Sequence, residues 1–192
     1  MQRVNPEDLR VPHGDRIEKR FNVLQGTSQV TADRNVVLTT VLGSCIATCL
    51  YDPIAHVGGM NHFLLSQPAG LDCADAAESQ RYGVYAMEVL INDMLKAGAI
   101  RSRLRAHLYG GANLHAGMKS IGTANARFAE EFLRADGIPL VHSHLGGNEA
   151  RRVDFRAASG QARCRVVHNV VVQERKVEPA PLTKGSGDVE LF

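Results

Sequence analysis

Residues 36–47 have the sequence VVLTTVLGSCIA, in which a run of β-branched and apolar residues ends at small residues. The run predicts a buried strand, and Gly43 and Ser44 allow the backbone to turn sharply. A cysteine, Cys45, follows at once, and a second apolar run begins at Ile46. The stretch therefore predicts two strands joined by a tight turn that carries a thiol.

The pattern of apolar residues on either side of this turn indicates the fold class. Apolar residues recur at helical spacing over residues 79–97, where Val84, Met87, Ile91 and Met94 share a face, and over residues 120–135. The face predicted for the second helix consists of Ile121, Ala124, Phe128 and Phe132. Further strands are predicted at residues 21–24, 46–51, 57–65, 104–109, 140–145, 153–156 and 164–172. This order predicts an α/β fold, a layered α/β sandwich with a mixed β-sheet and two main amphipathic helices.

Composition points to one globular domain and to no particular polyanionic partner. The chain has 192 residues, 44% of them hydrophobic and 22% charged, and its formal net charge is +2. Such a small charge gives no reason to expect binding to nucleic acid. No apolar run has the length of a signal peptide core or of a membrane span, so we expect a cytoplasmic protein. We expect flexible segments at 1–19 and 177–192, and a single folded domain over 20–176.

Cys45 is the strongest candidate for chemistry. A thiol beside a turn whose amide groups are available has the surroundings that a nucleophile needs, and His62 lies seventeen residues further on as a possible base. The alternative is that Cys45 packs as a small hydrophobic residue and that His62 is a hydrogen-bonded core histidine. Cys49, Cys73 and Cys164 form no CxxC pair, and we expect all four thiols to be reduced.

Metal binding is not expected from the spacing of the candidate ligands. His142 and His144 alternate on one predicted strand face, but no carboxylate or thiol stands at ligand spacing from them. A module built from Cys45, Cys49 and His62 would lack a recognisable fourth ligand. The glycines at 110 and 111 match no phosphate-binding motif and predict a tight turn near the site.

Six segments together are similar to the chemoreceptor glutamine deamidase family, CheD. The most specific are LTTVLGSCIATCLYDP at 38–53 and HVGGMNHFLL at 56–65. The others are RFNVLQG at 20–26, YGVYAMEVLINDMLKAGA at 82–99, YGGANL at 109–114 and IGTANARF at 121–128. Ser66 and Leu114 depart from the family pattern at the rim of these motifs. The resemblance covers most of residues 20–172.

The resemblance implies an activity and a set of site residues. It makes Cys45 the nucleophile and His62 the base, and it places a third member, which orients the imidazole, at Thr39, with the adjacent Thr40 left open. Gly43 and Ser44 form the turn whose amide groups would hold an oxyanion. Thiol, imidazole and backbone donors are sufficient for amide hydrolysis, so no cofactor is expected.

The same resemblance implies partners. The substrates would be glutamines of methyl-accepting chemotaxis receptors, and some relatives bind a CheC-type phosphatase through a surface helix. A different class of function, a non-catalytic chemotaxis adaptor that binds receptors or the phosphatase, would need neither Cys45 nor His62. The intact pair favours the enzyme.

Overall fold

The computed structural model describes residues 18–65, 73–114 and 121–167, which form nine strands and two α-helices. Short 3-10 turns at Arg101–Arg103 and Ala157–Ser159 precede β6 and β9. The strands are β1 Lys19–Asn22, β2 Thr27–Thr31, β3 Val36–Leu42, β4 Ile46–Asp52, β5 Val57–His62, β6 Arg105–Gly110, β7 Leu140–Leu145, β8 Ala150–Arg156 and β9 Gln161–Val167; the helices are α1 Cys73–Lys96 and α2 Ile121–Ala135.

The strands form two sheets, which we call sheet A and sheet B. Sheet A has the order β1-β3-β8-β9, and sheet B has the order β2-β5-β4-β6-β7. Each sheet is mixed, because β1 pairs with β3 in parallel and β6 pairs with β7 in parallel while the remaining neighbours are antiparallel. The chain crosses from sheet A to sheet B at the 43–45 turn, between β3 and β4.

The molecule has three layers, which are sheet A, sheet B and the two helices, and two apolar cores lie between them. One core lies between sheet B and the helices and contains Ile46, Phe63 and Met87. The other lies between the two sheets and contains Leu38, Cys45 and Met60. Successive residues of a strand point to opposite faces, so sheet B supplies side chains to both cores. The central sheet is therefore buried on both sides, which explains the nearly continuous apolar sequence of β4.

The predicted fold class is confirmed, and the structure adds detail. Mixed strand pairing and two helices are present, with the strands distributed over two sheets where the sequence suggested one. Strand β2 was not predicted, because its sequence TSQVT contains one aliphatic residue. This strand lies at the edge of sheet B. The C-terminal ends of both helices were predicted to within one residue, and after α1 Gly98 adopts φ +99° and its N–H donates to the Leu95 carbonyl. The start of α1 was predicted too late, at residue 79, whereas the helix begins at Cys73.

The predicted apolar faces of both helices need correction. In α1, Met87, Ile91 and Met94 are fully buried, whereas Val84 is 43% exposed. In α2, Ala124 is exposed and the two phenylalanines are half-buried. The residues that α2 buries are Gly122, Asn125, Ala129 and Leu133. The spacing of hydrophobic residues predicted the wrong buried face of α2, because small residues and one asparagine let this helix approach the sheet closely.

Several predictions concern residues outside the described ranges. The expected flexible segments at 1–19 and 177–192 lie there except for Glu18 and Lys19, and Lys19 is already the first residue of β1. Ser66 and the part of the predicted last strand beyond Val167 lie there too. Neither helix of the described part of the chain has both the length and the apolar composition that a membrane crossing requires.

Candidate active site

Cys45 and His62 lie on the same face of sheet B. Ile46 and Phe63 are bridged by two backbone hydrogen bonds of 2.9 Å, so Cys45 and His62 each stand one residue before this pair. Antiparallel pairing then makes them diagonal neighbours, whose side chains point the same way and are close enough for long side chains to meet. Both side chains are nearly buried, at 5% and 7% exposure, on the face turned toward sheet A.

The hydrogen bonds of the imidazole determine which of its nitrogens carries the proton. His62 Nδ1 is 2.9 Å from Thr40 Oγ1 and 3.3 Å from the Val23 carbonyl oxygen. The Thr40 hydroxyl donates its only proton to the same carbonyl at 2.8 Å, so its oxygen can only accept from Nδ1. Nδ1 is therefore the protonated nitrogen, and Nε2 carries the lone pair. Nε2 is buried and has no hydrogen-bond partner among the described residues.

Burial also keeps this imidazole neutral. Desolvation lowers the pKa of His62 below its ordinary value, and the Val23 carbonyl opposes this only in part. A neutral imidazole with a free Nε2 is the form that can accept a proton from a thiol. The geometry thus prepares His62 to act as a base toward its own face of the sheet, where Cys45 lies.

The hydroxyl beside the imidazole belongs to Thr40, which corrects the expectation for Thr39. Thr39 Oγ1 donates to Asp154 Oδ1 at 2.8 Å, on the outer face of sheet A, where Asp154 also meets Arg20. Adjacent strand residues point to opposite faces, so only one of the two threonines can reach the layer between the sheets. Leu38 and Leu42, which share the face of Thr40, belong to the inter-sheet core.

The turn that carries the thiol is held through three successive carbonyl groups. The Gly43 carbonyl accepts from Ala112 N at 2.8 Å, and the Cys45 carbonyl accepts from Gly111 N at 2.8 Å. The Ser44 carbonyl accepts from Asn125 Nδ2 at 2.8 Å. Because every carbonyl of the turn is engaged by residues 111, 112 or 125, the orientation of its peptide planes is fixed. Preorganised peptide groups of this kind are what an oxyanion site requires.

Asn125 connects the two segments that carry the site. This residue of α2 is fully buried, and its Oδ1 accepts from Leu65 N at 2.9 Å while its Nδ2 holds the Ser44 carbonyl. One carboxamide thus joins the turn that carries Cys45 to the chain three residues beyond His62. The sequence pattern was not used to identify Asn125, although a polar residue at a buried position of a helix indicates a side chain that needs hydrogen-bond partners.

The glycines of the YGGANL segment are required by close backbone approach. A Cβ on Gly110 would lie 2.0 Å from the Cys45 carbonyl oxygen, and Gly110 has φ +117°. A Cβ on Gly122 of α2 would lie 2.4 Å from the carbonyl oxygens of Gly111 and Ala112. The predicted tight turn is not seen at these glycines, because Gly110 is the last residue of β6 and residues 111–114 form no regular turn. Their contribution is to let this segment approach the turn that bears Cys45.

Two exposed or partly exposed side chains border the thiol. Cys45 Sγ lies 3.7 Å from Gln25 Oε1, in the connection between β1 and β2. Tyr82 of α1 is 38% exposed, and burial together with the nearby Cys45 raises the pKa of its phenol. The sequence offered no signal for Gln25, because its contact depends on where the connection between β1 and β2 passes from sheet A to sheet B.

A second thiol and imidazole lie close together elsewhere, in a cavity of about 380 Å³ lined by His107, His142, His144 and Cys164. Cys164 Sγ is 3.5 Å from His144 Nδ1, a proximity across strands that the linear spacing did not reveal. Burial raises the pKa of the Cys164 thiol, which disfavours a thiolate there. No three His, Cys, Asp or Glu residues of the described ranges are arranged to hold a metal ion.

Comparison with known proteins gives the family. A family model described as "CheD chemotactic sensory transduction" matches residues 64–166, more than half of the chain. A Zymomonas mobilis protein named "Probable chemoreceptor glutamine deamidase CheD" is 56% identical over 174 residues, which cover 91% of this chain and 93% of the relative. The chain belongs to the CheD family. A Caulobacter vibrioides CheD with the same printed name is 54% identical over 176 residues, covering 90% and 93%.

More distant CheD relatives also match along most of their length. An Agrobacterium fabrum protein of the same printed name is 43% identical over 178 residues, which cover 91% of this chain and 97% of the relative. The CheD family model begins at residue 64 and does not include Cys45 or His62, which lie in the LGSC and GGMNHFLL motifs. A Neisseria meningitidis structure of the DUF152 family aligns with TM-score 0.42 and 12% identity over 68% of this chain and 65% of its own.

Proposed function

We propose that this protein is a protein-glutamine deamidase that converts specific glutamines of methyl-accepting chemotaxis receptors to glutamate. Membership of the CheD family supports the activity, because the relatives named above carry the printed name of chemoreceptor glutamine deamidases. The observation on which the proposal depends is the His62 imidazole, whose free Nε2 lies on the same sheet face as the Cys45 thiol. Cys45 is the nucleophile and His62 the base.

Acylation is the first half of the proposed reaction. His62 Nε2 takes the thiol proton, and the Cys45 sulfur attacks the carboxamide carbon of the substrate glutamine. The carbonyl oxygen becomes an oxyanion, which the N–H groups of Ser44 and Cys45 stabilise, with Gly43 allowing the turn. Loss of one donor of this kind costs about 3 kcal/mol in other enzymes. The imidazolium then gives its proton to the nitrogen, and ammonia leaves.

Deacylation completes the cycle without a cofactor. His62 removes a proton from water, the hydroxide attacks the thioester carbon, and the carbon–sulfur bond breaks to return the thiol. The product is a glutamate side chain. Thr40 and the Val23 carbonyl hold Nδ1–H through both halves, so the same nitrogen, Nε2, exchanges every proton.

The proposal includes a location and a second partner. Reduced thiols fit the cytoplasm, where we place the reaction. A CheC-type phosphatase remains a candidate partner through a surface helix, and α1 supports this with two exposed apolar side chains, Val84 at 43% and Tyr85 at 67%. Receptor and phosphatase would then dock near the Tyr82 rim of the site.

Mass spectrometry of a purified receptor fragment tests the proposal. Incubation with the wild-type protein should raise the mass of defined receptor glutamines by about one dalton each, as hydrolysis of an amide requires. Cys45→Ala should abolish this gain. Persistent conversion by Cys45→Ala would contradict the assignment of the nucleophile.

Ammonia release distinguishes the enzyme from a non-catalytic adaptor. His62→Gln should lower the rate of ammonia release from the receptor by at least about 100-fold, because the general base is lost. Binding of the same variant to the receptor should persist. Equal ammonia release by wild type and His62→Gln would favour the adaptor.

A further inference from the structure

A side chain that the proposed mechanism does not use lies directly on the Cys45 thiol. Gln25 Oε1 is 3.7 Å from Cys45 Sγ, a hydrogen-bond distance for a thiol donor. The cysteine is 5% exposed, whereas Gln25 is exposed, so the carboxamide covers the thiol from the solvent side. A glutamine carboxamide is also the group that the proposed reaction hydrolyses. Gln25 therefore places the same functional group as the proposed substrate beside the Cys45 sulfur.

The backbone on both sides of Gln25 is fastened to the site. Gly26 N donates to the His62 carbonyl at 2.7 Å, and Val23 N donates to the Thr39 carbonyl at 2.8 Å. The Val23 carbonyl receives the Thr40 hydroxyl, as described above. Gln25 is therefore held beside the thiol and the imidazole by the fold itself. Intramolecular placement of reacting groups can correspond to effective concentrations of about 10⁵ M or more.

We infer that Cys45 deamidates Gln25 within the same molecule, so that Gln25 is a self-modification site. This inference rests on the proposed function, since it uses the same nucleophile and base. It adds a second substrate, an internal one, that is presented by the connection between β1 and β2. The flexible glutamine side chain needs only to rotate about its own torsions to bring its carbonyl carbon to the sulfur.

The self-reaction balances with water as the only co-reactant. The Cys45 thiol proton moves to His62 Nε2, and a bond forms between Sγ and the Gln25 side-chain carbonyl carbon. The carbon–nitrogen bond breaks, and ammonia leaves with the proton from Nε2. Water then adds to the internal thioester, the carbon–sulfur bond breaks, and a glutamate side chain remains at position 25. No group is oxidised or reduced.

Peptide mass spectrometry of the full-length protein tests the inference, with a control built into the chain. Trypsin cleaves after Arg20 and Arg34, so one peptide contains both Gln25 and Gln29. Gln29 is also exposed, but its carboxamide nitrogen is directed to the Val30 carbonyl. Incubated wild type should gain about one dalton at Gln25 and nothing at Gln29, or lose the mass of one ammonia if the thioester persists.

Two variants separate the enzymatic reaction from spontaneous deamidation. Cys45→Ala and Cys45→Ser, each checked for folding by circular dichroism, should retain glutamine at position 25. The wild-type rate should not depend on protein concentration, because the reaction is intramolecular. Equal conversion in wild type and both variants, or a rate that rises with concentration, would overturn the inference.

A receptor fragment in the same incubation distinguishes failure of this inference from failure of the proposed function. Receptor conversion with unmodified Gln25 would refute self-modification and leave the receptor deamidase intact. Conversion of Gln25 without receptor conversion would support the self-modification and refute that receptor as substrate. No conversion at either place would refute both.

Discussion

The two adjacent threonines of β3 have different environments, and only one of them contacts His62. Thr40 lies between the sheets and contacts the imidazole, whereas Thr39 lies on the outer face and contacts Asp154. The sequence spacing from Cys45 could not settle the choice, because the 43–45 turn interrupts the strand alternation between them. Only the pairing of β3 with β8 fixes which face each residue occupies.

Substitution of these two threonines gives a matched test at the residue scale. Thr40→Val should lower kcat for receptor deamidation about 10- to 100-fold with little change in KM, because the imidazole loses the acceptor that orients it. Thr40→Ser should restore most of the rate, since it keeps the hydroxyl. Steady-state ammonia release measures these values.

Thr39→Val is the control for this prediction. It should leave kcat within about two-fold of wild type and reduce the free energy of unfolding by about 1 kcal/mol, the net value of one hydrogen bond. Asp154 keeps its ion pairs with Arg20 and Arg165 in this variant. A larger loss of kcat from Thr39→Val than from Thr40→Val would assign the orienting role to Thr39.

At the scale of elements, α2 and the YGGANL segment form a support for the 43–45 turn, which carries Cys45. Sequence patterns located the turn, both helices and eight of the nine described strands, since each has a strong apolar period. They could not indicate that a buried asparagine of α2 would reach the Ser44 carbonyl, because that contact joins residues 81 positions apart. These supporting contacts depend on tertiary packing, which the local spacing of apolar residues does not indicate.

Removal of the Asn125 side chain tests this support. Asn125→Ala leaves the buried Ser44 carbonyl and the partly buried Leu65 N–H without this partner, at about 1–3 kcal/mol for a fully buried group. We expect a lower free energy of unfolding in urea and a kcat reduced about 10-fold or more, because the turn loses its fixed orientation. Arg134→Ala, at an exposed site on the same helix, should change neither quantity appreciably. Wild-type kcat in a folded Asn125→Ala protein would contradict the role given to α2.

At the scale of the whole molecule, the site exists only where the two sheets meet. Sheet B supplies Cys45 and His62, while sheet A and its connection to β2 supply Thr40 and the Val23 carbonyl. The layer between them is nearly closed to water, and the imidazole within it stays neutral. The desolvation that keeps the His62 imidazole neutral therefore also makes folding sensitive to acid.

Acid sensitivity of the folded state is the prediction that follows for the entire protein. Burial lowers the pKa of His62, His107 and His144 below the ordinary value of 6.5. The unfolded chain then binds more protons than the folded protein as the pH falls below 6.5, so the free energy of unfolding decreases toward acid and is fully retained above that pH. Urea unfolding between about pH 7.5 and about pH 5.5 should show this decrease.

His107→Gln, whose amide can still donate to the Gly160 carbonyl as the imidazole does, should make the decrease shallower. Stability that is constant or rises toward pH 5.5 would mean that these imidazoles are charged in the folded protein, and the neutral base proposed for His62 would have to be abandoned.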